Sequence, residues 1–213
     1  MAGRDQTTPT RRPYHSPARR RQAEETRRRI LDAARALFRE EGYAGTTLDA
    51  IAAAAEVSPK TVAALGSKRG ILAALVDPVG PGRGYREFVE SMLDAPGPER
   101  YLEVVAQFTR RVYETSAPEF DLLRSAGAVA PEVAEAARQV ETRRRQHQER
   151  LIAILSEQGV LRGELGRKEA TDVLWALTSY DLYRALVGQC SWAPENYEAW
   201  LTGMLIQRLL APR

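Results

Sequence analysis

Residues 47–66, TLDAIAAAAEVSPKTVAALG, limit what this chain can fold into more than any other stretch. With Leu48 as the first helical position, Ile51 and Ala55 fall one turn apart on one face, and Ala52 is small where a second helix has to cross closely. Thr46 or Thr47 serves as the N-cap, with Asp49 three residues after Thr46 in the spacing of a capping box. Val57 sits in a short turn, Ser58-Pro59 is a helix start, and Val62 and Leu65 lie about one turn apart on the second helix. The pattern is two short crossed helices, and the outer face of the second, Pro59, Lys60, Thr61, Ala63 and Ala64, stays polar or small. A helix-turn-helix offers such a face to the DNA major groove.

A longer helix precedes this pair. Ile30, Leu31, Ala34, Leu37 and Phe38 recur at helical spacing, Glu24/Arg28 and Glu25/Arg29 are i,i+4 pairs on the outer side, and Gly42 ends the run at a left-handed C-terminal position. Ser67 caps a further helix through Ile71, Leu72 and Leu75. Pro78 to Gly84, PVGPGRG, then breaks the chain and marks a domain boundary. Beyond it, Pro96, Pro98, Pro118, Pro131 and Pro194, with Gly159, Gly163 and Gly166, predict helices near 84–94, 98–115, 118–127, 131–158, 167–189 and 194–210. No stretch alternates with period two for long enough to make a strand, and the Ala- and Leu-rich composition favours helix. The fold expected is all-α, with an N-terminal three-helix helix-turn-helix domain over residues 23–82 and a larger helical bundle over 83–213.

Charge sharpens the reading. The chain carries a net +3, but residues 1–30 hold nine arginines against Asp5, Glu24 and Glu25, a net +6, so the remainder sums to −3. Residues 1–22, with Pro9, Pro13 and Pro17 and almost nothing apolar, read as a disordered basic arm, since they cannot bury surface to offset the entropy of ordering. Arg19, Arg20 and Arg21 at its end are candidates for the adjacent minor groove, as in other armed helix-turn-helix proteins. Cys190 is the single cysteine and cannot form an internal disulfide. There is no apolar run of about 18 residues and no apolar segment after the N-terminal arginines, so a cytoplasmic protein with no membrane partner is expected.

The candidate DNA contacts follow from chemistry. Lys60 and Thr61 donate to phosphates or base acceptors, Ala63 and Ala64 meet a thymine methyl, and the helix starts at Thr47 and Ser58 leave backbone N–H groups for phosphate oxygens. The stretch TRRRILDAARALFREEGYAGTTLDAIAAAAEVSPKTV, followed by GSKRGILAAL, resembles the N-terminal domain of the TetR family of bacterial transcriptional regulators over Thr26 to Leu75. Gly42-Tyr43, Thr46-Thr47, Ile51-Ala52, Val57-Ser58, Thr61-Val62 and Gly66-Ser67-Lys68 all match, while DVLWALTSYDLYRALV and WAPENYEAWL are similar to the last two helices of one branch of the family. The resemblance implies a homodimer in which ligand binding changes the separation of two reading heads and releases operator DNA, and it adds Thr46 and Lys68 to the DNA-facing residues. Two departures stand out. TVAALGSK is one residue shorter than the family pattern and lacks its Tyr, and Glu56 replaces the usual Gly of the turn, at a cost of about 1 kcal/mol if that position is left-handed.

In the second domain the helical aromatics Tyr101, Phe108, Tyr113, Phe120, Trp175 and Tyr180 are the candidate lining of an effector pocket. Leu182, Leu186, Trp200, Leu201, Met204 and Leu205 are the candidate interface of a four-helix dimer contact, which would hold two reading heads roughly 34 Å apart. GPGRG at 80–84 follows a helix and has no Lys-Ser/Thr after it, so it reads as a linker rather than a phosphate loop. His15 lies in the arm and His147 on a charged helix face beside Arg143 to Arg145, neither with partners for metal or acid–base work. No cofactor, metal or catalytic constellation is expected. The function expected is a ligand-responsive, DNA-binding transcriptional regulator, a repressor acting as a homodimer on a palindromic operator and released by a small-molecule effector. The alternative is a helical small-molecule-binding protein whose DNA binding is weakened or lost.

Overall fold

The computed structural model describes residues 17–77 and 83–212. Ten α-helical elements follow one another: α1 Pro17–Gly45, α2 Leu48–Ala54, α3 Pro59–Leu65, α4 Lys68–Leu75, α5 Arg83–Leu93, α6 Pro98–Gly127, α7 Pro131–Glu157, α8 Arg167–Leu177, α9 Tyr180–Tyr183, continued by a π-helical segment Arg184–Gln189, and α10 Pro194–Leu209. Among the described residues the only β pairing is one isolated bridge, Leu161 with Leu210, which ties the loop after α7 to the end of α10.

α2 and α4 pack on one stripe of α1, and α3 packs on α2. Ile30, Ala34 and Phe38, each four residues apart, are buried in one core with Ile51 and Ala52 of α2, Ala55 just after it, Val62 of α3 and Ile71 and Leu72 of α4. Three N-caps in succession set the helix starts: Thr47 accepts from the Ala50 N–H, Ser58 from Thr61 and Ser67 from Gly70. Each such cap contributes about 1 kcal/mol.

Gly42 breaks α1 as the sequence predicts, with φ 71° and ψ 178°, backbone that only glycine adopts readily. One further turn follows it to Gly45. At the other end α1 starts at Pro17, so residues 17–22, expected in the disordered arm, are helical. Pro17 fits the first turn, and the run ARRRQA that follows consists of good helix formers. The rest of the arm, residues 1–16, lies outside the described residues, as does most of the Pro78–Gly84 boundary segment.

The second half is built on α6, which packs against α7 and α10, with α8 across α7 and α10. Two expected boundaries are wrong. The helices expected at 98–115 and 118–127 are one helix, α6, with Pro118 inside it. Two tertiary donors reach carbonyl oxygens beside the proline: Arg39 Nη2 to Thr115 O at 3.4 Å and Tyr180 Oη to Ala117 O at 3.0 Å. Conversely, the helix expected over 167–189 breaks at Thr178, because Ser179 caps a new start by accepting from the Leu182 N–H.

Candidate functional site

Ser58, Pro59, Lys60, Ala63 and Ala64 are exposed along α3, with Thr61 half-buried, while Val62 of the same helix is sealed in the core. The residues chosen from the outer face therefore share one accessible surface. Ser58 Oγ and Thr61 Oγ1 are 2.7 Å apart, so the cap is a paired hydroxyl cluster. The preceding turn carries Glu56 at φ 51°, the left-handed position anticipated there, with its carboxylate in solvent. Arg29 of α1 braces that turn: its guanidinium donates to Ala55 O and to Glu56 O, the latter at 3.2 Å, and lies 3.6 Å from the Glu56 carboxylate.

Two expected contacts are turned inward. Thr46 is completely buried, with Oγ1 donating to Gly42 O at 2.8 Å, so it holds the kink at the end of α1 and cannot meet a phosphate; the N-cap of α2 is Thr47, which is exposed. Lys68 Nζ donates to Tyr43 O at 2.7 Å and Thr46 O at 2.9 Å and lies 4.5 Å over the Tyr43 ring. Carbonyls left free at the end of α1 capture the ammonium, which explains its direction. Arg19 and Arg21 are exposed on the first turns of α1, and the side chain of Arg20 lies outside the described residues.

In the second half, α5, α6 and α7 enclose two adjoining cavities. The inner one, about 50 Å³, is lined by Phe88, Phe108, Tyr113, Arg144, His147 and Gln148, among others. The outer one, about 480 Å³, lies between Tyr85, Val89, Met92, Tyr101, Arg150 and Ile154. His147 and Leu151 line both and form the partition. Phe88 and Phe108 stack with centroids 4.1 Å apart, and the Tyr85 hydroxyl lies 2.9 Å from His147 Nδ1. His147 thus has a partner and a cavity position, contrary to the expectation from its charged neighbours; burial, helped by Arg150, holds its pKa down at about 4.

The expected pocket aromatics divide into groups. Phe108 and Tyr113 line the inner cavity and Tyr101 the outer one. Phe120 and Tyr180 stack at 4.8 Å behind Tyr113, one layer away from the cavity. Trp175 lies outside both, at the surface, its indole N–H donating to Glu141 and its ring beside the Arg144 guanidinium. Of the expected dimer residues, Leu182, Leu186, Trp200 and Met204 are partly exposed, but Leu201 and Leu205 have no exposed surface. They belong to the inward stripe Tyr197, Leu201, Leu205 and Leu209, and the outward stripe of α10 is Asn196, Ala199, Gly203 and Gln207.

The family model for bacterial regulatory proteins of the tetR family matches residues 30–75, the span from α1 to the end of α4. Over that span the chain is similar to the TetR family. No curated protein sequence matches it. The whole fold is that of TetR-family structures: a protein of Syntrophomonas wolfei described as a TetR-family transcriptional regulator superposes with a TM-score of 0.68 at 21% identity, covering 85% of this chain and 93% of that one. SmeT, in a complex with triclosan, matches at 0.64 and 22% identity over 87% and 92% of the two chains. A transcriptional regulator of Saccharomonospora viridis, in complex with choline, matches at 0.64 and 20% over 88% and 99%.

Three side chains escaped the sequence reading: Arg144, His147 and Gln148. A signal was there. The inward stripe of α7 runs Val133, Ala136, Val140, Leu151, Ile152 and Leu155, and its gap is filled by Arg144 and Gln148, both buried. Polar residues that interrupt an apolar stripe at its own spacing point to a polar cavity.

Proposed function

We propose that the chain is a ligand-responsive transcriptional repressor that binds a palindromic operator as a homodimer and leaves it when a small molecule occupies the cavities between α5, α6 and α7. The observation that carries this reading is the exposed α3 surface, Pro59, Lys60, Ala63 and Ala64, on a TetR-like domain in which α2, α3 and α4 each start at a side-chain cap. The ligand complexes of structural neighbours, SmeT with triclosan and the Saccharomonospora viridis regulator with choline, support an effector in the second half. At about 480 Å³ the outer cavity is of a size that ligand sites have.

Ion pairs carry cavity movements to the reading head. Tyr113 and Glu119 share α6, and Glu119 binds Arg39 of α1. Arg144 and Arg143 are neighbours on α7, and Arg143 binds Asp77 just after α4 at 3.0 Å. A ligand that moves α6 or α7 therefore drags both ends of the helix-turn-helix support. The outer stripe of α10, small at Ala199 and Gly203, together with Leu182, Leu186 and Trp200, is the surface for the second copy. No helix among the described residues is long and apolar enough to cross a membrane, and the site of action is taken as the cytoplasm.

The test is a mobility shift on the DNA upstream of the protein's own coding region, titrated against salt. A discrete complex with a 2:1 protein-to-duplex ratio is expected. One observation favours a second reading, a small-molecule-binding protein with lost DNA function: α3 has only seven residues and follows an exposed carboxylate at Glu56. Absence of any complex at low salt selects that reading.

A further inference from the structure

We infer that the paired cavities take an uncharged, flat, apolar ligand ending in a hydroxyl group that donates to Gln148 and engages His147. The inference rests on the effector reading above and names the chemistry of that effector. Almost every polar group around the inner cavity is already used within the protein. Tyr113 Oη donates to Thr178 O at 2.6 Å, and Thr109 Oγ1 donates to Val105 O at 2.8 Å. The Arg144 Nε and Nη2 both donate to Glu141, at 3.0 and 2.7 Å, while Nη1 donates to Trp175 O and to the Thr178 oxygens. That guanidinium is neutralised and has no free nitrogen for a ligand.

Two atoms remain. Gln148, 95% buried, has no partner on Oε1, and His147 has none on its buried Nε2. The amide orientation of Gln148 is settled by its neighbour: Thr178 Oγ1 donates to Leu174 O and accepts from Arg144, so at 2.7 Å it can only accept from Gln148 Nε2, which leaves Oε1 as a bare acceptor. A phenol is the stronger donor and an imine nitrogen the stronger acceptor, so we assign the proton of the 2.9 Å contact to Tyr85 Oη, with His147 Nδ1 accepting and the ring proton on Nε2. The site thus presents one acceptor and one donor on consecutive residues of α7. A hydroxyl is the smallest group that answers both, and the inner cavity of about 50 Å³ has room for it.

The body of the ligand lies in the outer cavity, whose walls include Tyr85, Tyr101, Met92 and Ile154. Charge argues against an ionic head. A carboxylate would find no free cation inside, and a cation would find no carboxylate in either lining, only Arg150 at the rim. Arg150 itself is exposed, where water screens it.

Four probes with one ring system separate the possibilities in calorimetric titrations of the full chain: 2-naphthol, naphthalene, 2-naphthoate and 2-(aminomethyl)naphthalene. The expected order places 2-naphthol about tenfold or more ahead of the other three. In Gln148→Leu, 2-naphthol and naphthalene should bind alike, and this ratio is insensitive to a general loosening of the fold. Tighter binding of either ion, equal binding of naphthalene, an unchanged preference in the variant, or no binding by any probe up to its solubility would overturn the assignment. Should the variant fail to fold, the ranking on the parent chain decides alone. If 2-naphthol binds as expected but leaves the DNA complex intact, the ligand class stands and the regulatory reading fails.

Discussion

Glu119 of α6 and Arg39 of α1 form a two-point ion pair, Nε to Oε1 at 2.8 Å and Nη2 to Oε2 at 3.2 Å, in which the carboxylate is 1% exposed and the guanidinium is half in solvent. Arg35, one turn earlier on α1, approaches the same carboxylate at 3.4 Å. The asymmetry dictates which deletion hurts. Arg39→Met leaves a buried carboxylate with one distant partner and should cost about 2–4 kcal/mol, whereas Glu119→Gln releases two arginines toward water and should cost less. Denaturant melts of the two single variants and the double variant check this; additive losses would mean that the pair contributes no coupling between the helices.

Lys60 and Lys68 divide what the sequence put together. Lys60 is exposed on α3, while the Lys68 ammonium is tied to Tyr43 O and Thr46 O. Lys60→Ala should lower the slope of log affinity against log salt by about one, with little change in melting. Lys68→Met should leave that slope alone and destabilise by about 1–3 kcal/mol, since two carbonyls lose a charged donor. Salt-titrated DNA binding alongside thermal melts distinguishes the two roles, and an altered slope in Lys68→Met would place that ammonium on phosphate.

Glu56 holds φ 51° in the turn before α3, and its side chain is 88% exposed. Glu56→Gly removes about 1 kcal/mol of backbone strain and loses only a screened ion pair to Arg29, so a net gain in stability is expected. DNA affinity should rise as well, because a carboxylate beside the phosphates is gone. Weaker binding by the glycine variant would show that rigidity at the turn matters more than charge.

The α-helical fold was legible because apolar spacing and caps are local signals. Ile30, Ala34 and Phe38 announce the inner face of α1, and Ser58-Pro59 announces α3, with no help from the rest of the chain. What escaped depended on partners far away in sequence. Pro118 lies inside a helix whose neighbouring carbonyls, Thr115 O and Ala117 O, take donors from Arg39 and Tyr180, and Lys68 is drawn inward by carbonyls about 25 residues earlier. Thr46 and Thr47 are both plausible caps until the kink at Gly42 captures one of them. In α10 the apolar content is high on both sides, so spacing alone could not tell the inward Leu201 and Leu205 from the outward Trp200.

That distinction in α10 gives a pair of substitutions with opposite signatures. Leu205→Ala empties a fully buried site and should cost about 2–5 kcal/mol. Ala199→Arg, on the exposed stripe, should keep the helical circular dichroism of the parent and lower the molar mass found by light scattering from dimer toward monomer. A dimer that survives Ala199→Arg would move the interface off this stripe.

His147 makes stability depend on pH in a defined window. Its folded-state pKa, pushed down to about 4 by burial and by Arg150, lies below the value near 6.5 that the unfolded chain restores. As pH falls through 6.5 the unfolded chain takes up a proton that the folded ring refuses. The contribution is therefore fully present above about 6.5, is lost between 6.5 and 4, and changes no further once the folded ring also protonates. Because the ring is only partly buried, the loss is on the order of 1–2 kcal/mol, a few degrees of melting temperature. His147→Gln cannot titrate, and other groups titrate alike in both proteins, so the melting curve of the parent should fall relative to the variant between pH 7 and pH 4.5. A constant gap across that range would mean that the imidazole is as accessible to protons in the folded chain as in the unfolded one.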